Sequence, residues 1–185
     1  MANDVARAES TQSIMMDDFF YFFLRLRKER VRKVVQAARS RHPEESPEGL
    51  SRQLIASTSA LSFMAGTIMH LPTLIPGIGQ AWNLLGFVGG ASALTRMHLY
   101  LILEIALVYG KDIDDQERVP EMAAVVAATG LAATAPLLVH VFELNPLYAV
   151  PAAGLTATAL TRLIGERAIG LYSGTLEMPA PEPIG

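Results

Sequence analysis

A long stretch without a charged residue constrains this chain more than any other feature. No Asp, Glu, Lys or Arg occurs from Gln53 to Thr95, and the sequence PTLIPGIGQ interrupts this run at residues 72–80. Its prolines lack a backbone donor and disfavour helix in the residue before each, while its glycines accept turn geometry. The run therefore predicts two apolar helices joined by a turn, which is an antiparallel helical hairpin.

The remainder of the chain also reads as helical. Strand signals are weak throughout, so the predicted fold class is all-α, with a basic amphipathic N-terminal helix followed by two apolar helical hairpins. The predicted organisation is a flexible N-terminus at 1–16, a basic interfacial helix at 17–42, a linker at 43–53, an apolar helical domain at 54–172 and a Pro-rich disordered tail at 173–185.

Four apolar segments approach the length of a membrane span, which is about 20 residues with about 17 as the short limit. They are residues 54–72, 78–95, 122–142 and 146–163. A soluble hairpin needs polar residues on its outer face, and the charge-free run supplies few. The sequence therefore favours hairpins embedded in a membrane. Peripheral attachment to a membrane and a soluble bundle with the hairpins as its core are the alternatives.

A compact basic block precedes the apolar region. Residues 25–41 hold eight of the 15 Lys and Arg residues and Glu29 as the one acid, in a chain of formal net charge −3. Aromatic residues at 19–23 stand just ahead of this block, an arrangement typical of an interfacial helix on anionic lipid. The predicted headgroup contacts are Arg25, Arg27, Lys28, Arg30, Arg32 and Lys33.

Two other interpretations of the basic block remain open. It could bind nucleic acid, but it lacks aromatic residues interleaved at base-stacking spacing, so no nucleic-acid partner is predicted. It could also pair with acidic loops of its own chain. If a membrane is the partner, the positive-inside rule places the N-terminus in the cytoplasm.

Polar residues inside apolar helices are further candidates for function. Glu104 lies in an otherwise apolar segment, and Arg96 precedes it by two helical turns on about the same face. They are predicted as a polar pair within the membrane, because an unpaired charge there is costly. Gly86 and Gly90 form a GxxxG pair that predicts close helix packing.

The sequence contains no recognisable set of catalytic or cofactor-binding residues. There is no cysteine, and the histidines are scattered without the spacing of convergent metal ligands. The glycines of PGIGQ lack both a third glycine and the Lys-Ser or Lys-Thr of a phosphate-binding loop. No nucleophile elbow is present. We therefore expect a non-enzymatic protein without a metal or cofactor.

The segment LILEIALVYGKDIDDQER resembles the EcsC family of bacterial proteins. The matching positions are Ile105, Ala106, Tyr109, Gly110, Asp112, Asp115 and Arg118, and Gly165 and Ala168 match a further element near the end of the chain. The resemblance spans about residues 54–172 and implies a helical protein at the bacterial cytoplasmic membrane. Tyr109, Gly110 and Asp112 are its most specific residues. A simpler interpretation makes Gly110 a helix cap and Asp112 a turn residue.

These features together predict a scaffold or accessory subunit of a membrane complex. Its expected partners are anionic lipid and either another protein or a second copy of the chain. One alternative is a pore- or transporter-like oligomer with Arg96 and Glu104 along a polar path. Another is a soluble helical bundle that binds an apolar ligand.

Overall fold

The computed structural model describes residues 26–71, 79–129 and 146–175. These residues form five α-helices and contain no strand, so the predicted all-α class is confirmed. The helices are α1 Lys28–Arg41, α2 Pro47–His70, α3 Gly79–Val108, α4 Arg118–Ala128 and α5 Pro146–Tyr172.

The second half of α3 forms the centre of the core. Six of its large apolar side chains are at most 5% exposed, namely Leu99, Leu101, Ile102, Leu103, Ile105 and Val108. Apolar residues surround this part of the helix, so it can be buried only if other helices cover every side. All four other helices contact α3.

Helices α2 and α5 pack closely against each other in antiparallel orientation. Gly66, late in α2, meets Ala153 and Gly154, early in α5, and a Cβ added to Gly66 would lie 2.8 Å from the carbonyl oxygen of Ala153. The missing side chains let the two backbones approach. This is the packing role predicted for Gly86 and Gly90, which lie in α3 but outside the residues whose side-chain surroundings are described.

Helix α2 begins earlier than predicted, inside the segment assigned as a linker. The Ser46 hydroxyl accepts a hydrogen bond of 3.1 Å from the backbone N–H of Gly49, and Pro47 occupies the first helical position. A serine cap followed by proline is a strong helix start, because the serine hydroxyl accepts from one unpaired donor of the first turn and proline has no N–H that would need a partner. The connection between α1 and α2 is therefore only a few residues long.

None of the described helices combines the length and the apolar character needed to cross a membrane. The four predicted spanning segments are thus not supported by the described part of the chain. For segment 122–142, α4 ends at Ala128, and residues 130–145 lie outside the described ranges.

A small polar network is buried where α2, α3 and α5 meet. The Thr161 hydroxyl donates to the carbonyl oxygen of Ala157 at 2.9 Å and lies 2.6 Å from Ser62 Oγ and 3.0 Å from His98 Nε2. Thr161 Oγ1 is thus the shared hydrogen-bond partner of the Ser62 hydroxyl and the His98 ring, and all three residues are buried. Burial lowers the pKa of His98 to about 4, so the ring is neutral at pH 7.

We expect Thr161→Val to lower the free energy of unfolding by about 2 kcal/mol, because it removes the shared hydrogen-bond partner of the buried Ser62 hydroxyl and His98 ring. Urea denaturation at pH 7 measures this change. Thr156→Val is the matched control: among the described residues, its half-buried hydroxyl bonds only to the Ala152 carbonyl one turn back. Equal losses in the two variants would contradict the network.

Candidate functional site

A cavity of about 750 Å³ lies between α1, α2 and α3. This volume is within the range of small-molecule binding sites. Its polar lining consists of Arg27, Arg30, Ser57, Thr58, Arg96, Tyr100 and Glu104, and its apolar lining consists of Leu26, Val34, Leu61, Ala93 and Met97. The site therefore combines three guanidinium groups and one carboxyl group with an apolar wall.

Helix α3 supplies one side of the cavity through residues at four-residue spacing. Arg96, Tyr100 and Glu104 share a face because side chains four positions apart lie one helical turn apart. Tyr100 holds the start of α1 against this face. Its hydroxyl accepts a 3.0 Å hydrogen bond from the backbone N–H of Arg27, and the Arg30 guanidinium lies 5.0 Å from its ring centroid.

Glu104 lies at the buried end of the polar lining. Its side chain is only 6% exposed, and no described residue forms a hydrogen bond or ion pair with its carboxyl group. Burial raises the pKa of Glu104 to about 7, and the charge of Arg30 opposes this shift. The group is therefore divided between its neutral and ionised forms near neutral pH.

Arg96 and Glu104, the predicted polar pair, both line this cavity. The described residues show no ion pair between them. Eight residues of α-helix separate the two along α3, which corresponds to about 12 Å along the axis. Arg30 of α1 is the cation that acts on Glu104. Sequence reasoning missed this role of Arg30, since no local pattern indicates which distant helix will cover Glu104.

The basic residues predicted to contact lipid have several different environments. Lys28 forms an ion pair of 3.3 Å with Asp114, and Arg32 pairs with both Glu29 and Asp114. Part of the block thus binds an acidic loop of its own chain, which was one of the open interpretations. Lys33 is exposed, and Arg25 lies outside the described residues.

Arg39 fixes the other end of α1. Its guanidinium donates to the carbonyl oxygens of Leu107 and Val108 at 3.1 and 3.2 Å. These carbonyls belong to the last turn of α3, where the helix dipole favours a cation. Because Arg27 meets Tyr100 and Arg39 meets Leu107, α1 runs parallel to the second half of α3.

The Tyr109–Asp112 segment terminates α3. Gly110 has φ +77° and donates to Leu107, while the N–H of Lys111 donates to Ala106, at 3.1 and 2.9 Å. This is the hydrogen-bond pattern of a Schellman cap, which favours glycine because left-handed backbone is costly for other residues. The Asp112 side chain accepts from the backbone of Asp114 in the following turn. Both residues thus have the structural roles of the simpler interpretation.

Arg118, the last position of the motif, is buried at the start of α4. It is 5% exposed and pairs with Glu121 and Glu117. Within the described residues, its Nε has no hydrogen-bond partner. The motif therefore contributes a helix end, an aspartate-stabilised turn and a buried arginine.

Comparison with known proteins does not assign this chain to a family. No family model, curated protein or solved structure matches this chain. The EcsC resemblance therefore stays a prediction.

The side chains that line the cavity are suited to binding a ligand. Its guanidinium groups can hold an anion, and its hydroxyl and carboxyl groups can orient a polar ligand. Within the described ranges, no group of three or more His, Asp or Glu side chains is placed to hold a metal ion.

Proposed function

We propose that this protein is a non-enzymatic, membrane-associated helical protein that acts as a scaffold or accessory subunit at the bacterial cytoplasmic membrane. One observation carries the proposal: apolar side chains are exposed on the charge-free halves of α2 and α5. They are 46–63% exposed and consist of Leu61, Met64, Ile68, Leu71 and Leu155. We call this set the apolar surface.

The spacing of these residues supports a single surface. Leu61, Met64 and Ile68 recur at three- and four-residue intervals and therefore lie along one face of α2, and Leu71 continues this spacing directly after the helix ends at His70. Leu155 belongs to the early part of α5, which packs against the late part of α2. Contiguous exposed apolar area marks an interaction site for a membrane or a partner.

The distribution of charge favours lipid as the occupant. From Gln53 to the end of α2, and from the start of α5 to Thr161, no residue carries a charge. Arg162 lies within α5, directly after its charge-free half, and the arginines of the cavity line it together with Leu61. Apolar side chains could enter the acyl boundary while these arginines meet anionic headgroups, as in interfacial helices.

The proposal predicts that Met64→Glu reduces binding to vesicles of phosphatidylglycerol and phosphatidylcholine. Met64 is 56% exposed, so the change should be tolerated by the fold. Losing its apolar contact and introducing a charge at the acyl boundary should weaken partitioning at least about tenfold. Vesicle co-flotation with purified protein measures the bound fraction.

Leu163→Glu is the matched control, because Leu163 is also exposed but follows the charge-free half of α5. We expect this variant to float like the wild type. If both variants float normally, or if wild-type protein ignores the vesicles, membrane association through the apolar surface is wrong. If the protein instead stays in solution and binds another protein through Met64, the apolar surface is a protein interface.

A further inference from the structure

We propose that the cavity between α1, α2 and α3 binds the phosphate-ester group of an anionic amphiphile, with Arg30 and Arg96 as the phosphate ligands. This deepens the proposed function by giving the membrane-associated protein a specific headgroup site. The inference rests on the proposed function only in taking the ligand from a membrane, because a soluble phosphate ester carries the same anionic group.

The arginines that line the cavity have donors available for an anion. The Arg30 guanidinium lies 5.0 Å from the Tyr100 ring centroid and forms no ion pair among the described residues, although its charge acts on Glu104. Arg96 forms no ion pair within the described residues, and neither does the guanidinium of Arg27. Guanidinium groups match phosphate oxygens with two parallel donors. Three such groups line the cavity, Arg27 and Arg30 at the α1 side and Arg96 on α3, and their unused donors give the cavity capacity for an anion.

A buried carboxyl group also lines the cavity, on the α3 side. Glu104 is more than nine-tenths buried and lacks a described partner, yet it lines the cavity. A carboxylate accepts hydrogen bonds and repels a second anion. It therefore selects a ligand that carries its negative charge on one side and hydroxyl or ammonium donors on the other, such as a glycerol or amine headgroup.

The apolar lining of the cavity is continuous with the apolar surface. Leu61 lines the cavity and is also a member of the exposed row on α2 that continues to Met64 and Ile68. An acyl chain attached to a phosphate held at Arg96 would have an apolar path along α2. This arrangement suits a phospholipid better than a ligand that is polar throughout.

The test is a titration of purified full-length protein followed by NMR chemical shifts at pH 7.5. The probes are dihexanoyl-phosphatidylglycerol, glycerol 1-phosphate and dihexanoyl-phosphatidylcholine. We expect Arg96→Gln and Arg30→Gln each to weaken binding of the first two probes at least about tenfold. Arg162→Gln is the matched control: Arg162 is exposed, lacks an ion pair among the described residues and does not line the cavity.

Tighter binding of the short-chain lipid than of glycerol 1-phosphate supports the site with a membrane lipid as the ligand. Equal binding supports the site with a soluble ester as the ligand. No binding of either probe, or equal losses in the Arg96 and Arg162 variants, overturns the proposal. Met64→Glu separates the two proposals: glycerol 1-phosphate binding should persist in it even when vesicle flotation is lost.

Discussion

At pH 8 we expect the Glu104→Gln protein to be about 3 kcal/mol more stable than the wild type. Burial raises the pKa of Glu104 from 4.5 to about 7 in the folded protein. The folded state therefore binds this proton more tightly than the unfolded chain does. Each unit of pKa difference corresponds to about 1.4 kcal/mol, so ionisation costs roughly this much stability.

The sign of the effect follows from the direction of the shift. Stability contributed by neutral Glu104 is fully present below about pH 4.5 and is lost as the pH rises through about 7. A glutamine stays neutral throughout, so its advantage should vanish at low pH. His98 has the opposite dependence, since its lowered pKa removes stability as the pH falls from 6.5 toward 4, but it is common to both proteins and cancels in their difference.

Urea denaturation of both proteins at pH 5 and pH 8 measures this difference. Glu44→Gln is a suitable control, because Glu44 is exposed and forms no described ion pair; its effect should stay within about 0.5 kcal/mol at both pH values. An unchanged difference between Glu104→Gln and wild type at pH 5 and 8 would show that Glu104 does not titrate in this window.

The second large effect is expected at Arg118. Replacing it by alanine should lower the free energy of unfolding by about 3 kcal/mol, at the low end for a broken buried ion pair. The physical reason is the carboxylate of Glu121, whose side chain is only 14% exposed and would lose its cation. The expected loss lies near the lower limit of the range for a broken buried ion pair, because Glu121 keeps some contact with water.

Thermal and urea unfolding of Arg118→Ala measure this loss, with Arg41→Ala as the control. Arg41 is exposed and has no described ion pair, so its removal should change stability by less than about 0.5 kcal/mol. The double variant Arg118→Met/Glu121→Leu should recover most of the loss, because it removes the unpaired charge. If the double variant is as unstable as Arg118→Ala, packing and not charge explains the effect.

Local patterns were sufficient to predict several elements. The end of α3 at Gly110 follows from glycine's access to left-handed backbone after an apolar helical run. The turn at Asp112, which the simpler interpretation of the motif gave, is also present. These features depend on residues a few positions apart, so the sequence contains all the information that determines them.

Partner choice between distant segments was not predictable in the same way. Sequence analysis selected Glu104 and Arg96 as a pair, but it could not place Arg30 of α1 over Tyr100 or Asp114 beside Lys28. Likewise, the sequence did not single out Gly66, at which α2 closely approaches α5. Each of these contacts depends on how two helices cross, and many crossings satisfy the same apolar pattern.

The amino-acid sequence alone determined the helical class, the separation of charged from charge-free segments and the end of α3, because each follows from composition or from neighbours along the chain. Only the tertiary structure decided which polar groups share a cavity and which apolar side chains stay exposed. The reason is that burial depends on the neighbouring helices: covering α3 on every side shifted the pKa of Glu104, while the outer face of α2 at Met64 received no such cover.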